Sequence, residues 1–480
     1  MRKPPFHPIH PLKWTVGLLP GLCAGVWGLL AGCQPTLDTR TALIVQTLVD
    51  ADRDLIANRP ALLATKYEVM AEGLQPFLRG TAGIFYRDLS RYQDEAAQVP
   101  HGVAAEQVQL YGDIHLENVG VTFDTSGVLF DCVDFDSTVQ GPFGWEVRRT
   151  ALSLRAALSL SGQPDAVLDE VVARLGQSYA QTMRDRSQQS ADTNTQIRES
   201  SPQAGKIVLE LLADGKKRND QQEELSQYTE VVSKTRKLLR NADLQDMPSP
   251  WAGDLPQLIA AYRDTRRSGR GQDSQYQILD AAQRFNSGVA SLPNLRFWVL
   301  LSGPNPNGNP MRNDPEWILE FKEERDPPLP LGWLGRGPIG KNDARVLAGT
   351  RLLLASPDSE ADLGAVRFAG VSFQVRRVLR GRRDLDVAKL TERTLSGRYG
   401  VADLKDLAAT LGGLIANGHA RAGHPLALWN VLAKSDGTGD GFTAYLVDQS
   451  RSDVERLGRD FVLFQAARDL LGPLLGARQN

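Results

Sequence analysis

Five side chains able to do chemistry crowd into the stretch Tyr111 to Asp136: Asp113, His115, Asn118, Asp134 and Asp136. Val119 to Phe123 and Val128 to Val133 alternate or run apolar around the turn-forming Asp124-Thr125-Ser126-Gly127, a pattern that predicts a hairpin. A hairpin returns to its start. Asp113 and Asn118, before the first strand, should therefore meet Asp134 and Asp136, after the second. Three carboxylates and an amide in one small volume repel one another unless a cation or a basic partner sits among them, and oxygen-only ligands suit Mg²⁺.

Such a set serves phosphoryl transfer, in which one Asp takes the acceptor proton while an Asn and a later Asp hold the metal that bridges nucleotide phosphates. Gly112-Asp113-x-His115-x-x-Asn118 resembles the catalytic loop of aminoglycoside and choline kinase relatives, and Val133-Asp134-Phe135-Asp136 resembles their metal-binding segment. The resemblance implies that Asp113 is the base and that Asn118 and Asp134 are metal ligands. Asp136 becomes a further metal candidate, and His115 a catalytic-loop residue that braces the loop more than it does chemistry. Two other readings stand beside this one. Asp and Asn next to Gly are common in silent turns, and Gly-Asp-x-His also occurs in dimetal phosphoesterases. The latter need a Gly-Asn-His-Asp or Glu segment, to which Asn417-Gly418-His419 is the nearest approach.

A second half of the site is expected downstream. Ile318-Leu319-Glu320-Phe321-Lys322-Glu323 reads as a strand with one Lys among apolar residues, and such a Lys must face a partner: nucleotide phosphates and a helix Glu in kinases, or solvent in an ordinary edge strand. Gly288-Val289-Ala290-Ser291 stands where a phosphate-covering loop would be, with Gly288 and Ser291 as its candidate contacts, although it is poor in glycine. In ordinary kinases the glycine loop and the Lys precede the catalytic Asp. Here they follow it, as does a helix ending at Asn417-Gly418-His419-Ala420-Arg421, which implies a circular permutation.

The elements that must hold these residues come from a chain of 480 residues in which 55 Lys and Arg balance 57 Asp and Glu. That balance gives no electrostatic case for nucleic acid. Arg2, Lys3 and Lys13 precede an apolar run that ends in Leu30-Ala31-Gly32-Cys33, which resembles the lipobox of bacterial lipoproteins; a short membrane anchor is the alternative. On this reading residues 1–33 are a leader, Cys33 is lipidated, and acyl chains hold the protein to the bacterial envelope, facing the periplasm or the exterior. Cys132 is then the one remaining core thiol, and no disulfide is expected.

Apolar spacing predicts helices over Thr39–Arg53, Leu62–Met70, Glu146–Leu160, Val167–Arg184, Asp403–Ala420 and Asp460–Leu471, with Ile207–Asn241 also helical in pattern. Phe297–Leu301, Trp317–Phe321, Val366–Phe368 and Val371–Leu379 read as strands. Gln140–Trp145 reads as a turn-rich link and Ser302–Asp314 as a long hairpin loop. Ser187–Gln203, polar throughout, reads as a mobile insertion. The expected fold is α+β and helix-rich, a permuted two-lobed kinase-like chain. Residues 34–260 would be a helical lobe, 275–385 a small antiparallel sheet lobe carrying Lys322, and 400–480 helices completing the large lobe.

Phe77-Leu78-Arg79-Gly80, the loop and hairpin motifs, Gly141-Pro142-x-x-Trp145-Glu146-x-x-Arg149, Lys322-Glu323, His419-Ala420-Arg421 and Asp448-Gln449, taken in this order, resemble the bacterial domain-of-unknown-function family 2252, which is grouped with kinase-like proteins. The chain departs from it in the glycine loop and at Glu146, where Asp is usual. The resemblance implies Mg²⁺ and ATP or another nucleoside triphosphate as cofactors. Arg79, Arg149, His419 and Arg421 join Lys322 as candidate phosphate contacts. The function expected is phosphotransfer to an unknown small molecule or envelope component; the alternative is a kinase-like lipoprotein that binds a ligand or partner without turnover. Oligomeric state is left open.

Overall fold

A computed structural model of the protein describes residues 37–91, 106–188, 195–219, 221–266, 269, 271, 273–303, 316–330, 341–379, 381–434 and 436–477. The expected leader with Cys33, most of the expected 302–314 loop and residues 189–194 lie outside them. Among the described residues the fold is a helix-rich α+β arrangement with antiparallel sheets, and no helix is long and apolar enough to cross a membrane.

The hairpin forms where turn and strand signals put it, Val119–Asp124 against Gly127–Cys132, with Val121 opposite Phe130 and Val119 opposite Cys132. Its side chains are buried on both faces. Val119, Val121, Phe130 and Cys132 join one core with Val171, Leu175 and Tyr179 of helix Asp165–Gln188 and Leu407, Leu411 and Leu414 of helix Val401–Ala422. A second core gathers Ile44, Leu63, Tyr67, Phe77 and Tyr86 around Phe464 of helix Asp440–Leu471. That last helix is far longer than expected. Its buried stripe is interrupted by Ser450, Asp453 and Asp460, which hides the apolar period.

Six strands form the main sheet, in the spatial order Gly364–Phe368, Val371–Arg377, Glu316–Glu324, Arg296–Ser302, Gln277–Arg284, Leu244–Asp246, all neighbours antiparallel. Side chains alternate across it. Phe297, Val299, Leu301, Trp317, Leu319 and Phe321 pack against Leu255, Leu258, Ile259 and Tyr262 of helix Ser249–Thr265. Trp298, Leu300 and Ile318 face the opposite way, with Leu225, Leu238 and Leu244. Glu320, Lys322 and Glu324 share the parity of Ile318, so they leave the strand by the face that carries Trp298 and Ile318, away from helix Ser249–Thr265.

Four expectations are corrected. The sheet and its helix recruit residues upstream of 275, because Leu244–Asp246 is an edge strand and Ser249–Thr265 covers a face. Ile207–Asn241 is not helical throughout: Thr229–Val232 and Thr235–Leu238 pair as a hairpin, turned by Ser233 and Lys234 at positive φ and favoured by β-branched residues. Gln140–Trp145 is not a simple link, since Val139–Pro142 pairs with Gln107–Leu110 and a helix begins at Phe143. Within Ser187–Gln203 the described part packs: Ile197 is buried and its carbonyl accepts from Phe130 N at 2.8 Å. Arg198 also donates to the carbonyl of Val128 at 3.1 Å.

Candidate functional site

The loop before the hairpin is held from behind by one helix, Phe143–Ser159. Glu146 accepts from Gly112 N at 2.6 Å and Tyr111 N at 3.0 Å. Thr150 donates to the carbonyl of Ile114 at 3.0 Å, and Ser153 accepts from Leu116 N at 3.1 Å. Arg149 Nε donates to Asp113 Oδ1 at 2.9 Å, and its Nη2 reaches the carbonyl of Leu78 at 2.7 Å. Positions 146, 149, 150 and 153 follow the i, i+3, i+4, i+7 spacing of one helix face. That polar stripe is legible in the sequence, and its Thr150 and Ser153 went unread. Gly112 turns the loop at φ +93°, where a Cβ would lie 1.8 Å from the carbonyl oxygen of Ser137, so only glycine fits.

Behind Glu146 the network continues. His419 Nε2 lies 2.8 Å from Glu146 Oε2, and Tyr179 Oη lies 2.9 Å from His419 Nδ1. Glu146 and His419 are fully buried.

The hairpin then does what its geometry requires. Asn118 Nδ2 donates to the carbonyl of Asp113 at 2.9 Å, while Val133 N donates to the carbonyl of Asn118 at 2.9 Å, tying the two ends together. Asp113, Asn118, Asp134 and Asp136 line one cavity of about 70 Å³, together with Arg79, His115 and the segment Gly288–Ser291. Lys322 Nζ reaches it from the sheet, 3.2 Å from both oxygens of Asp134 and in direct contact with Asp136 Oδ2. Neighbouring strands hold the base of this strand in place. Glu320 is paired with Arg296 at 3.0 Å, accepts from Trp298 Nε1 at 3.0 Å and lies near Arg376, which itself donates to the carbonyl of Val133 at 2.9 Å.

Charges set each group's state. Burial pushes Asp134 up, but Lys322, a hydrogen bond with Asp136 and the charge of Arg376 together outweigh it and hold the carboxyl well below the usual range. Asp136 is pushed up to about 6, first by burial and then by the charge of Asp134. Burial would lower Lys322, yet Asp134 and Asp136 keep it raised and charged. Burial also pushes Glu324 well above the ordinary carboxylate value, Asp136 adding to it. Glu320 falls to about 2, because Arg296 and Arg376 override the upward push of burial. His115 is lowered to about 4 by burial and is neutral, with its Nδ1 unpartnered.

The structure thus brings Asp113, His115, Asn118, Asp134, Asp136, Lys322, Gly288, Ser291 and Arg79 to one place. It does not bring the remaining candidates there. His419 is enclosed behind Glu146 and cannot touch a phosphate, and Arg421 hydrogen-bonds the carbonyl of Leu353. Arg149 is fully buried, with its Nε on Asp113, its Nη2 on the carbonyl of Leu78 and its Nη1 buried without a partner. The kinase-type helix Glu is not at Lys322 among the described residues; the acids there are Asp134, Asp136 and Glu324 of its own strand. Glu324 was missed, although the period-2 parity of Glu320, Lys322 and Glu324 announces it.

Among the described residues no group of three or more His, Cys, Asp or Glu is arranged to hold a metal. The oxygen set at the cavity is the carboxylates of Asp113, Asp134 and Asp136 and the amide of Asn118.

No curated protein and no solved structure matches the chain. The profile of the family described as "Uncharacterized protein conserved in bacteria (DUF2252)" matches residues 58–467. That span is most of the chain, which therefore belongs to this family.

Proposed function

We propose that the chain is a phosphotransferase of kinase-like, circularly permuted fold that moves the terminal phosphoryl group of a nucleoside triphosphate to a hydroxyl acceptor. The observation that carries this reading is the meeting of Lys322 Nζ with both Asp134 oxygens at 3.2 Å, across 188 residues of sequence, at the cavity lined by Asp113 and Asn118. One nucleotide can span these groups. The permutation draws support from the end of helix Val401–Ala422, which abuts the strand leading to Asp113. A Cβ on Gly418 would lie 2.2 Å from Tyr111 Oη, and one on Gly423 would lie 2.8 Å from Val108 Cγ2.

Arg149 occupies Asp113 Oδ1, which leaves Oδ2 to take a proton. The acceptor oxygen attacks the terminal phosphorus, the bond from phosphorus to the diphosphate oxygen breaks, and the hydroxyl proton passes to Asp113. Lys322 offsets phosphate charge. The residues also fit a divalent ion. Asp136 Oδ1 is buried without a partner, Asn118 points its Nδ2 at Asp113 and so keeps Oδ1 for the cavity, and the donors are all oxygen. Asn118 and Asp134, with Asp136 beside them, would hold Mg²⁺, which supplies neutralisation of the phosphate oxygens.

A second reading, ligand binding without turnover, is favoured by the size of the cavity. About 70 Å³ is far below the roughly 300–1,000 Å³ of ordinary ligand sites, so a nucleotide enters only if Gly288–Ser291 moves away. With Cys33 lipidated, either activity would operate at the bacterial envelope. A thermal-shift titration separates the two readings: Mg²⁺-ATP should raise Tm of the wild type, Asp134→Ala should lose the response, and Asp113→Asn should keep it while phosphoryl transfer falls by roughly 10²-fold or more. No shift with any nucleotide would overturn phosphotransfer.

A further inference from the structure

A groove of about 800 Å³, of the size that holds small ligands, opens beside the loop that carries Asp113. Glu117 lines this groove, and its neighbour Asn118 lines the smaller cavity. Arg79 lines that cavity and pairs with Glu117 at 3.3 Å. One ion pair thus stands between the two spaces. Strand pairing fixes a second edge, because Asp384 lies opposite Gly120, two residues past Asn118, and Asp384 feels the charge of Asp134.

Resting on the phosphotransfer reading, we infer that this groove binds the acceptor, and that the acceptor is a small hydroxylated molecule carrying a phosphate or carboxylate group. The lining argues it. Lys217, Arg218, Arg383, Lys389, Arg393 and Arg398 all face the groove. Its carboxylates away from the loop are already shared: Glu210 pairs with Arg393 at 2.6 Å and Arg398 at 3.0 Å, and Asp214 with Arg218 at 3.0 Å and Arg383 at 3.8 Å. Asp386 is used as the N-cap of helix Val387–Leu395. Positive charge is left over. Among the described residues neither Lys217 nor Lys389 has a carboxylate within ion-pair distance, although Asp214 feels the charge of Lys389, and Arg382, also in the lining, pairs with Glu360 outside the groove while its Nε is buried without an acceptor. At the loop end the lining turns acidic, with Glu117 and Asp384, which suits the hydroxyl end of a molecule whose anionic end lies among the lysines and arginines.

The test uses the full chain and calorimetric titration with glycerol 3-phosphate and gluconate, the neutral polyols glycerol and glucitol as controls, and a separate titration with Mg²⁺ and a non-hydrolysable ATP analogue. The phosphate or the carboxylate probe should bind and the neutral polyols should not. Lys217→Glu/Lys389→Glu, a change at two exposed side chains, should weaken anion binding by roughly tenfold or more while the nucleotide titration and Tm stay as in the wild type. Neutral polyols that bind as tightly as the anions, or anion binding unmoved by the double reversal, would overturn the groove's role. The two levels fail differently. Nucleotide binding without anion binding sinks the groove alone, whereas anion binding lost on reversal, with no nucleotide response, sinks phosphotransfer and the acceptor role with it.

Discussion

Behind the 111–118 loop, Glu146 and His419 are sealed from water with their polar atoms matched, whereas in front of it Asp136 and Glu324 keep buried carboxylate oxygens that meet no donor. Both regions are rich in charge, yet they answer different demands. Glu146 carries two backbone N–H groups and a histidine on one carboxylate, an arrangement that fixes the loop in one shape. Around Lys322, three carboxylates meet one ammonium, with the charges of Arg345 and Arg376 near them, and burial pushes the protonation of two of these groups, Asp136 and Glu324, upward while some of their oxygens meet no donor. A network satisfied from within is scaffold. One left unsatisfied is where the proposed Mg²⁺ would sit.

The sharpest way to break this contrast is Glu146→Ala. It strands Gly112 N, Tyr111 N and His419 in a water-free interior, and an uncompensated buried set of this kind costs about 3–5 kcal/mol. Urea unfolding should show that loss in the midpoint with no change in slope. Glu146→Gln keeps an acceptor and should cost distinctly less. A loss below about 1 kcal/mol for Glu146→Ala would mean that the loop does not depend on the network.

His115 offers a second, smaller handle. Burial lowers it to about 4 in the fold, beneath the ordinary histidine value near 6.5, so the unfolded chain binds more protons between those limits. Stability is therefore fully present above about 6.5 and falls as pH drops toward 4, by up to about 3 kcal/mol. Asp136, raised to about 6, acts with the opposite sign: its contribution is present below the ordinary carboxylate range and is lost as pH rises through 6. The difference between the wild type and His115→Gln isolates the histidine. The variant should lose less stability on acidification from pH 7 to 4.5, and parallel profiles would show that His115 is not held neutral by its surroundings.

The hairpin half of the site was legible because local chemistry dictates it. A four-residue turn between two apolar runs has one way to fold, and Asp113, Asn118, Asp134 and Asp136 follow from it. Lys322 was legible for a different reason, since a lone ammonium on an apolar strand must face a partner, although its protein partners are Asp134 and Asp136 and not a helix Glu. What stayed hidden depends on partners far away in sequence. Nothing local says that His419 faces Glu146, so it read as a phosphate contact, as did Arg149. The same limit blurred the fold: Asp453 breaks the stripe of helix Asp440–Leu471 because its partner is Arg148. In Gln277–Arg284, Asp280 and Gln283 obscure a strand that only its neighbours define.

Asp136→Asn carries the smallest expected change in stability and the most discriminating one. The carboxyl at 136 is ionised at neutral pH at a cost, since burial and Asp134 both favour its protonated form, and an amide of the same shape removes that cost while Lys322 keeps Asp134 as its counter-charge. The ligand-free variant should match the wild type within about 1 kcal/mol, with any gain appearing above pH 6 and vanishing below the ordinary carboxylate range. Its Tm response to Mg²⁺-ATP should shrink, because an oxygen ligand with no partner inside the protein has been replaced by a weaker donor. Destabilisation as large as that of Glu146→Ala, with the nucleotide response intact, would place Asp136 among the scaffold and remove it from the proposed cation site.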